Sequence, residues 1–146
     1  MKKLVLLIAI VLTTQLSFAS DVPFAASSVI RSFDKNFHRA TEVEWERSVA
    51  YEKASFLLDN QFMNAYYTPD GELLAVIRNI TSDQLPLKLL LELKRNYPGL
   101  WISELFEVVN GPEDEYYITL ENADEKLILK SKAHKNWKLY QKIVKL

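Results

Sequence analysis

Two stretches of the chain, Phe33–Ala40 (FDKNFHRA) and Leu93–Leu100 (LKRNYPGL), resemble one another at an offset of 60 residues. Each stretch ends a segment with apolar residues at helical spacing, and several runs of alternating apolar and polar residues follow each one. Because both the motif and the order of elements recur, we predict two copies of one unit. Each unit is a helix followed by four strands, at about residues 22–80 and 84–146.

The two helices are predicted from their apolar stripes and from proline, which suits the first turn of a helix. The first is expected to begin near Pro23, and the second near Pro86 and to end at Pro98-Gly99. The first stripe comprises Ala26, Val29, Ile30, Phe33 and Phe37. The second comprises Leu87, Leu90, Leu91 and Tyr97. We expect both stripes to contact a sheet rather than a partner protein.

The strands are predicted from alternation. Val43 and Trp45 alternate with Glu42, Glu44 and Glu46, which is typical of a strand with one buried and one solvated face. Short turns join the runs, and short turns connect antiparallel neighbours. The predicted fold class is therefore α+β: two α-β4 repeats that build an antiparallel sheet, with both helices packed on one face.

The first 19 residues have the pattern of a cleavable signal peptide. Lys2 and Lys3 precede the apolar run Leu4–Leu12, and Ser17 and Ala19 occupy the −3 and −1 positions of a cleavage site. The run is shorter than the roughly 20 apolar residues that span a bilayer. We therefore expect no stable membrane insertion after cleavage, and a single domain over residues 20–146.

Composition restricts the function of that domain. It has 16 basic and 19 acidic residues, a net charge of −3, so it lacks the basic excess that binding to nucleic-acid phosphates requires. The chain has no cysteine, so the domain has no disulfides and its stability must come from its core.

The sequence shows no set of catalytic residues, and we predict that the protein is not an enzyme. There is no Gly-x-Ser-x-Gly motif, and the chain contains only three glycines, too few for a phosphate-binding loop. The two histidines, His38 and His134, are far apart and are expected to be solvated. We predict no metal site and no cofactor, since a metal site needs three or four convergent ligands.

Aromatic residues are the more informative group, because seven Tyr, seven Phe and three Trp exceed the needs of one small core. Alternation along the predicted strands places Ile102 and Phe106 on the helix-covered face of the sheet. The residues expected on the opposite, uncovered face, and hence the candidates for binding, are Tyr66, Trp101, Leu105 and Tyr117.

These structural residues also resemble a known family. The pattern comprises Val22-Pro23, Phe33, Phe37, Ala40, Val43, Trp45, Tyr51, Phe56 and Tyr67 to Gly71, followed by Leu85-Pro86 through Asn96-Tyr97-Pro98-Gly99. It is similar to that of the β-lactamase-inhibitor-like, PepSY-like family of bacterial exported proteins. One departure is His38-Arg39, where the family usually has Pro-Gly. The resemblance implies a BLIP-like sheet built from two α-β4 repeats, a periplasmic or secreted location, and no known enzymatic activity.

The residues and the resemblance together predict a periplasmic or secreted binding module. It would recognise a protein or peptide of the cell envelope through its sheet face, in the manner of an inhibitor. The alternative is an envelope protein that binds a small ligand or a metal ion through its turns and acidic strand residues. A function inferred from fold similarity alone identifies no partner.

Overall fold

The structure is a computed structural model that describes residues 25–133 and 135–145. The predicted signal peptide, Pro23 and His134 lie outside the described residues.

Two helices and eight strands make up the described part of the chain. In chain order they are α1 Ser27–Asn36, β1 Thr41–Arg47, β2 Glu52–Leu58, β3 Gln61–Tyr67, β4 Leu73–Asn79, a 3-10 turn Ser82–Gln84, α2 Leu87–Asn96, β5 Trp101–Val109, β6 Asp114–Glu121, β7 Glu125–Lys132 and β8 Lys138–Val144. The strands form one sheet in sequence order, and every neighbouring pair is antiparallel. The prediction of an antiparallel α+β fold with two helices is confirmed.

The first helix contacts one face of β2 and β3. Its Val29 and Phe33 share a buried cluster with Phe56 and Tyr67 of those strands. The ring of Phe33 meets that of Phe56 edge-on, with centroids 5.0 Å apart. Helix α1 begins at Ser27 rather than near Pro23. We call the side of the sheet that carries Phe56 the first face and the opposite side the second face.

The second helix forms a separate core with the other half of the sheet. Leu89 and Leu93 share a cluster with Leu105, Ile118 and Leu129. The indole N–H of Trp137 donates a hydrogen bond to the Leu89 carbonyl over 3.0 Å, which ties the segment before β8 to the helix.

The apolar stripe predicted for α2 is wrong at two positions. Leu87 and Leu91 are exposed, whereas Leu89 and Leu93 are buried. Leucine occurs on several sides of this helix, so apolar spacing alone cannot select the buried side.

The first strand follows the predicted alternation only from Glu44 onward. The ladder with β2 is irregular between Thr41 and Glu44, and Glu42 has a positive φ of 51°. This bulge leaves Val43 exposed, contrary to its predicted burial. Trp45 is partly buried and lies edge-on to Phe33, with ring centroids 5.3 Å apart.

The ladder between β4 and β5 connects the two halves of the sheet. It consists of four residue pairs, from Val76 opposite Val109 to Asn79 opposite Phe106. Beside it, on the first face, the Arg78 guanidinium donates to the buried carboxylate of Glu107. The pairing compensates a charge that would be costly to bury alone.

Two phenylalanines on adjacent strands test the assignment of the faces. Phe56→Ala removes a fully buried ring beneath α1 and should lower the free energy of unfolding by about 3–5 kcal/mol. Phe62→Ala removes a half-exposed ring from the second face and should cost less than about 1 kcal/mol. Urea unfolding of the two variants measures the difference, and equal losses would contradict the assignment.

Candidate functional site

The second face of the sheet carries a buried aromatic and aliphatic cluster at its centre. The cluster comprises Tyr51, Tyr66, Ala75, Ile77, Phe106, Val108 and Tyr117. The rings of Tyr51 and Tyr66 lie 5.5 Å apart between centroids. Large side chains thus fill the centre of the second face.

Tyr117 has close neighbours on several sides. Its ring stacks on Phe106 with centroids 5.3 Å apart, and Tyr140 meets it edge-on at 6.0 Å. The Lys130 ammonium lies 5.0 Å from the centre of the ring, a cation–π distance. The phenol donates a hydrogen bond to Glu115 Oε2 over 3.2 Å. Burial and the adjacent Glu115 carboxylate raise the pKa of Tyr117.

The carboxylate of Glu115 anchors this network although it is almost completely buried. Lys130 Nζ lies 2.8 Å and Lys132 Nζ 3.4 Å from its two oxygens. A buried carboxylate requires such compensation. The network therefore holds Lys130 and Tyr117 in fixed positions on the second face.

Three exposed aromatic side chains surround this buried centre. Phe62 is 49% exposed, Trp101 54% and Tyr140 38%. Phe62 lies opposite Leu57 and Trp101 lies opposite Glu121, both on the second face by register. Lys145 Nζ is 5.5 Å from the centre of the Trp101 ring and 2.8 Å from Glu121. We call Phe62, Trp101 and Tyr140 the aromatic rim.

The four predicted binding residues do not form one surface. Tyr66 and Tyr117 lie on the second face as predicted, but both are buried in its cluster. Trp101 is exposed on that face. The placement of Leu105 on the uncovered face is wrong, because Leu105 is buried in the cluster that includes α2. Phe106, predicted to face the helices, lies instead on the second face.

A β-bulge explains the error at Leu105. The ladder between β5 and β6 is irregular between Ile102 and Glu104, so Ser103 is an extra residue in the strand. An extra residue reverses the alternation beyond it. Trp101 and Leu105 therefore point to opposite faces, although they are four residues apart.

Sequence reasoning missed Phe62 and Tyr140. Phe62 lies four residues before Tyr66 on β3, so the same alternation that placed Tyr66 on the uncovered face also places Phe62 there. Tyr140 carries no such signal, because the ladder between β7 and β8 is irregular where it lies.

A basic groove borders the aromatic rim at the turn between β7 and β8. It has a volume of about 450 Å³. Its lining residues are Glu113, Lys130, Lys132, Lys135, Asn136, Lys138, Leu139 and Tyr140. Lys130 and Lys132 are paired with Glu115 and Glu113, so Lys135 and Lys138 supply the excess positive charge, which favours an anionic ligand.

Other potential sites are less developed. Among residues 25–133 and 135–145, no three His, Cys, Asp or Glu side chains lie close enough together to hold a metal ion. His38 is exposed. Neither described helix is long and apolar enough to cross a membrane.

Comparisons with known proteins identify the fold. No family model matches the chain, and no curated protein matches it. A BLIP-like protein from Bacteroides fragilis superposes with a TM-score of 0.72 at 16% identity, covering 86% of this chain and 89% of that one. A DUF2874 family protein from Bacteroides uniformis has a TM-score of 0.72 at 14% identity, covering 83% and 90%.

A third structure, described as a candidate periplasmic protein from Bacteroides eggerthii, has a TM-score of 0.72 at 16% identity, covering 84% and 90%. Structural superposition at sequence identities this low shows that these proteins share a fold with this chain. The BLIP-like fold expected from the sequence resemblance is confirmed, and the PepSY-like relationship stays a prediction.

Alkaline pH should destabilise the protein because its buried tyrosines resist ionisation. Burial raises the pKa of Tyr67 and of Tyr116 to about 12, and it also raises the pKa values of Tyr66 and Tyr117. An unfolded chain releases these protons near pH 10. The contribution of these tyrosines to the free energy of unfolding should therefore be constant below about pH 10 and fall as the pH rises towards 12. Urea unfolding at a series of pH values tests this, and undiminished stability across that range would contradict the burial of these phenols.

Proposed function

We propose that this chain is an exported, non-enzymatic binding module that recognises a protein or peptide of the cell envelope through the second face of its sheet. The observation that carries the proposal is the aromatic rim. Three large aromatic side chains stand exposed on one face, and aromatic residues are the commonest energetic anchors of protein interfaces.

The buried network behind the rim favours binding by a rigid surface. Tyr140 rests on Tyr117, which is held by Phe106, Lys130 and Glu115. An anchor held in place before binding loses less conformational entropy when the complex forms. The face would then need little rearrangement to accept a partner, as an inhibitor-like module requires.

Two observations support export. The first 19 residues have the charged, apolar and small-residue zones of a signal peptide. The structural neighbours include the candidate periplasmic protein and the BLIP-like protein. We place the mature protein in the periplasm or outside the cell, beginning at Ser20.

The proposal includes two α-β4 repeats with both helices on the first face. The helix ends match closely: Phe37 has φ and ψ of −131° and 45°, and Tyr97 has −130° and 48°. Each following strand has an irregular ladder near its start, between Thr41 and Glu44 and between Ile102 and Glu104. Matching irregularities at the 60-residue offset support a duplication.

The basic groove supports a second candidate function, the binding of a small envelope ligand. Its lysines favour an anion over a metal cation, so this candidate is narrower than the one predicted from the sequence. An anion that raises the melting temperature of the purified protein would favour it, because a ligand that binds only the native state stabilises that state.

Site-specific photo-crosslinking tests the leading proposal. A benzoylphenylalanine in place of Phe62, Trp101 or Tyr140 should crosslink to one common envelope partner. The same group in place of Lys35 or Lys94, which are exposed on the helices, should not. Trp101→Ala should then weaken binding of the purified partner by about 2 kcal/mol, roughly thirtyfold. Crosslinks confined to the helix positions would overturn the proposal.

A further inference from the structure

The last strand of the sheet has a free edge. Strand β8 pairs with β7 on one side, and within the described residues no strand lies on its other side. All seven of its residues are exposed. A strand in this position presents unpaired backbone groups to which an extended chain can hydrogen-bond.

The side chains of β8 are unusually apolar for an edge strand. Leu139, Tyr140, Ile143 and Val144 are all exposed. Both edge strands have an irregular ladder, between Thr41 and Glu44 in β1 and at Tyr140 in β8, but the opposite edge, β1, also exposes three glutamates. Charged side chains along an edge are one device that keeps it from pairing. Of the two edges, β8 is therefore the better suited to accept a strand.

Two lysines at the end of β8 do not obstruct this edge, because their charges are already paired within the molecule. Lys142 forms an ion pair with Glu125. Lys145 lies 2.8 Å from Glu121 and donates to the Asn122 carbonyl over 2.8 Å. Both lysines are thus drawn back towards neighbouring parts of the same molecule.

The beginning of β8 has uncompensated positive charge. Lys138 lies directly opposite Lys130 in the ladder, a like-charged pair that disfavours the folded strand. Lys130 is compensated by Glu115, but within the described residues no ion pair reaches Lys135 or Lys138. An acidic group placed there would relieve the repulsion.

We propose that an extended peptide segment adds to β8 as a ninth, antiparallel strand, with acidic residues at its C-terminal end beside Lys135 and Lys138. Its apolar side chains would contact Leu139, Ile143 and Val144. The inference rests on the proposed function of protein or peptide recognition, and it names the chemistry of the ligand and where it binds. An antiparallel orientation continues the pattern of all seven ladders of the sheet.

Fluorescence anisotropy with defined peptides tests the inference on the mature chain. The probe is a labelled ten-residue peptide of alternating Val and Thr whose C-terminal end carries three Glu residues. It should bind with a dissociation constant below about 1 mM, the weak end of specific affinities. A peptide with the Glu residues moved to the N-terminal end should bind more weakly. A version N-methylated at every residue should not bind, because it has no backbone N–H left to donate to a strand ladder.

Two double variants separate a specific charge effect from a general one. Lys135→Glu/Lys138→Glu should weaken binding at least about tenfold. Lys35→Glu/Lys94→Glu makes the same charge change at exposed helix positions and should leave binding unchanged. All four lysines are exposed, so both proteins should fold.

The inference is overturned if the acidic peptide fails to bind, if the N-methylated peptide binds equally well, or if both double variants behave alike. Crosslinking from positions 62 and 101 does not depend on this edge. A protein that crosslinks to a partner there but does not bind the peptide would retain the proposed function and lose only the added strand.

Discussion

The ladder between β4 and β5 is the constraint on which the rest of the structure depends. Its four residue pairs make two four-stranded halves into one sheet. Side chains alternate along every strand, and the strand pairing is continuous across the sheet. The residues that share a face in one half therefore determine which residues lie on that same face in the other half. The Arg78–Glu107 ion pair and the hydrogen bond between Tyr116 and Glu107 lie beside this ladder. Loss of Arg78 would leave a buried carboxylate uncompensated at the junction.

A shared assignment of faces gives the two sides of the sheet different roles. The first face holds two buried clusters, one around Phe56 and one around Leu105. The second face has tyrosines at its centre, held by Glu115 and Lys130, and exposed aromatic residues around them. Both faces therefore contain a buried core, and the second face also presents exposed anchors for a partner.

The sequence predicted every strand of the sheet because alternation and turn residues are local signals. The eight strands agree in number with the two predicted sets of four, and short turns indicated antiparallel pairing. It did not predict the bulge at Ser103, which changes no residue type and is visible only in the pairing with β6. The offset of 60 residues did carry the missing information, since it aligns Leu105 with Trp45. Alternation had placed Trp45 on the buried side of its strand, and a buried placement for Leu105 would have been correct.

Which side of α2 is buried could not be predicted from the sequence, for a different reason. Leucines occur on several sides of that helix, and tertiary contacts such as the hydrogen bond from Trp137 to Leu89 decide which side is buried. The prediction of binding residues is the most sensitive to such errors, because an exposed anchor and a buried core residue can differ only in which face of the strand the side chain points to.

The central claim is that the Ser103 bulge divides Trp101 and Leu105 between the two faces, and denaturant unfolding of two single variants tests it most directly. Leu105→Ala should lower the free energy of unfolding by about 2–5 kcal/mol, since it opens a cavity beneath α2. Trp101→Ala should cost less than about 1 kcal/mol, since the indole is exposed. The larger loss in Trp101→Ala, or equal losses in both variants, would contradict the division of faces and remove Trp101 from the proposed binding surface.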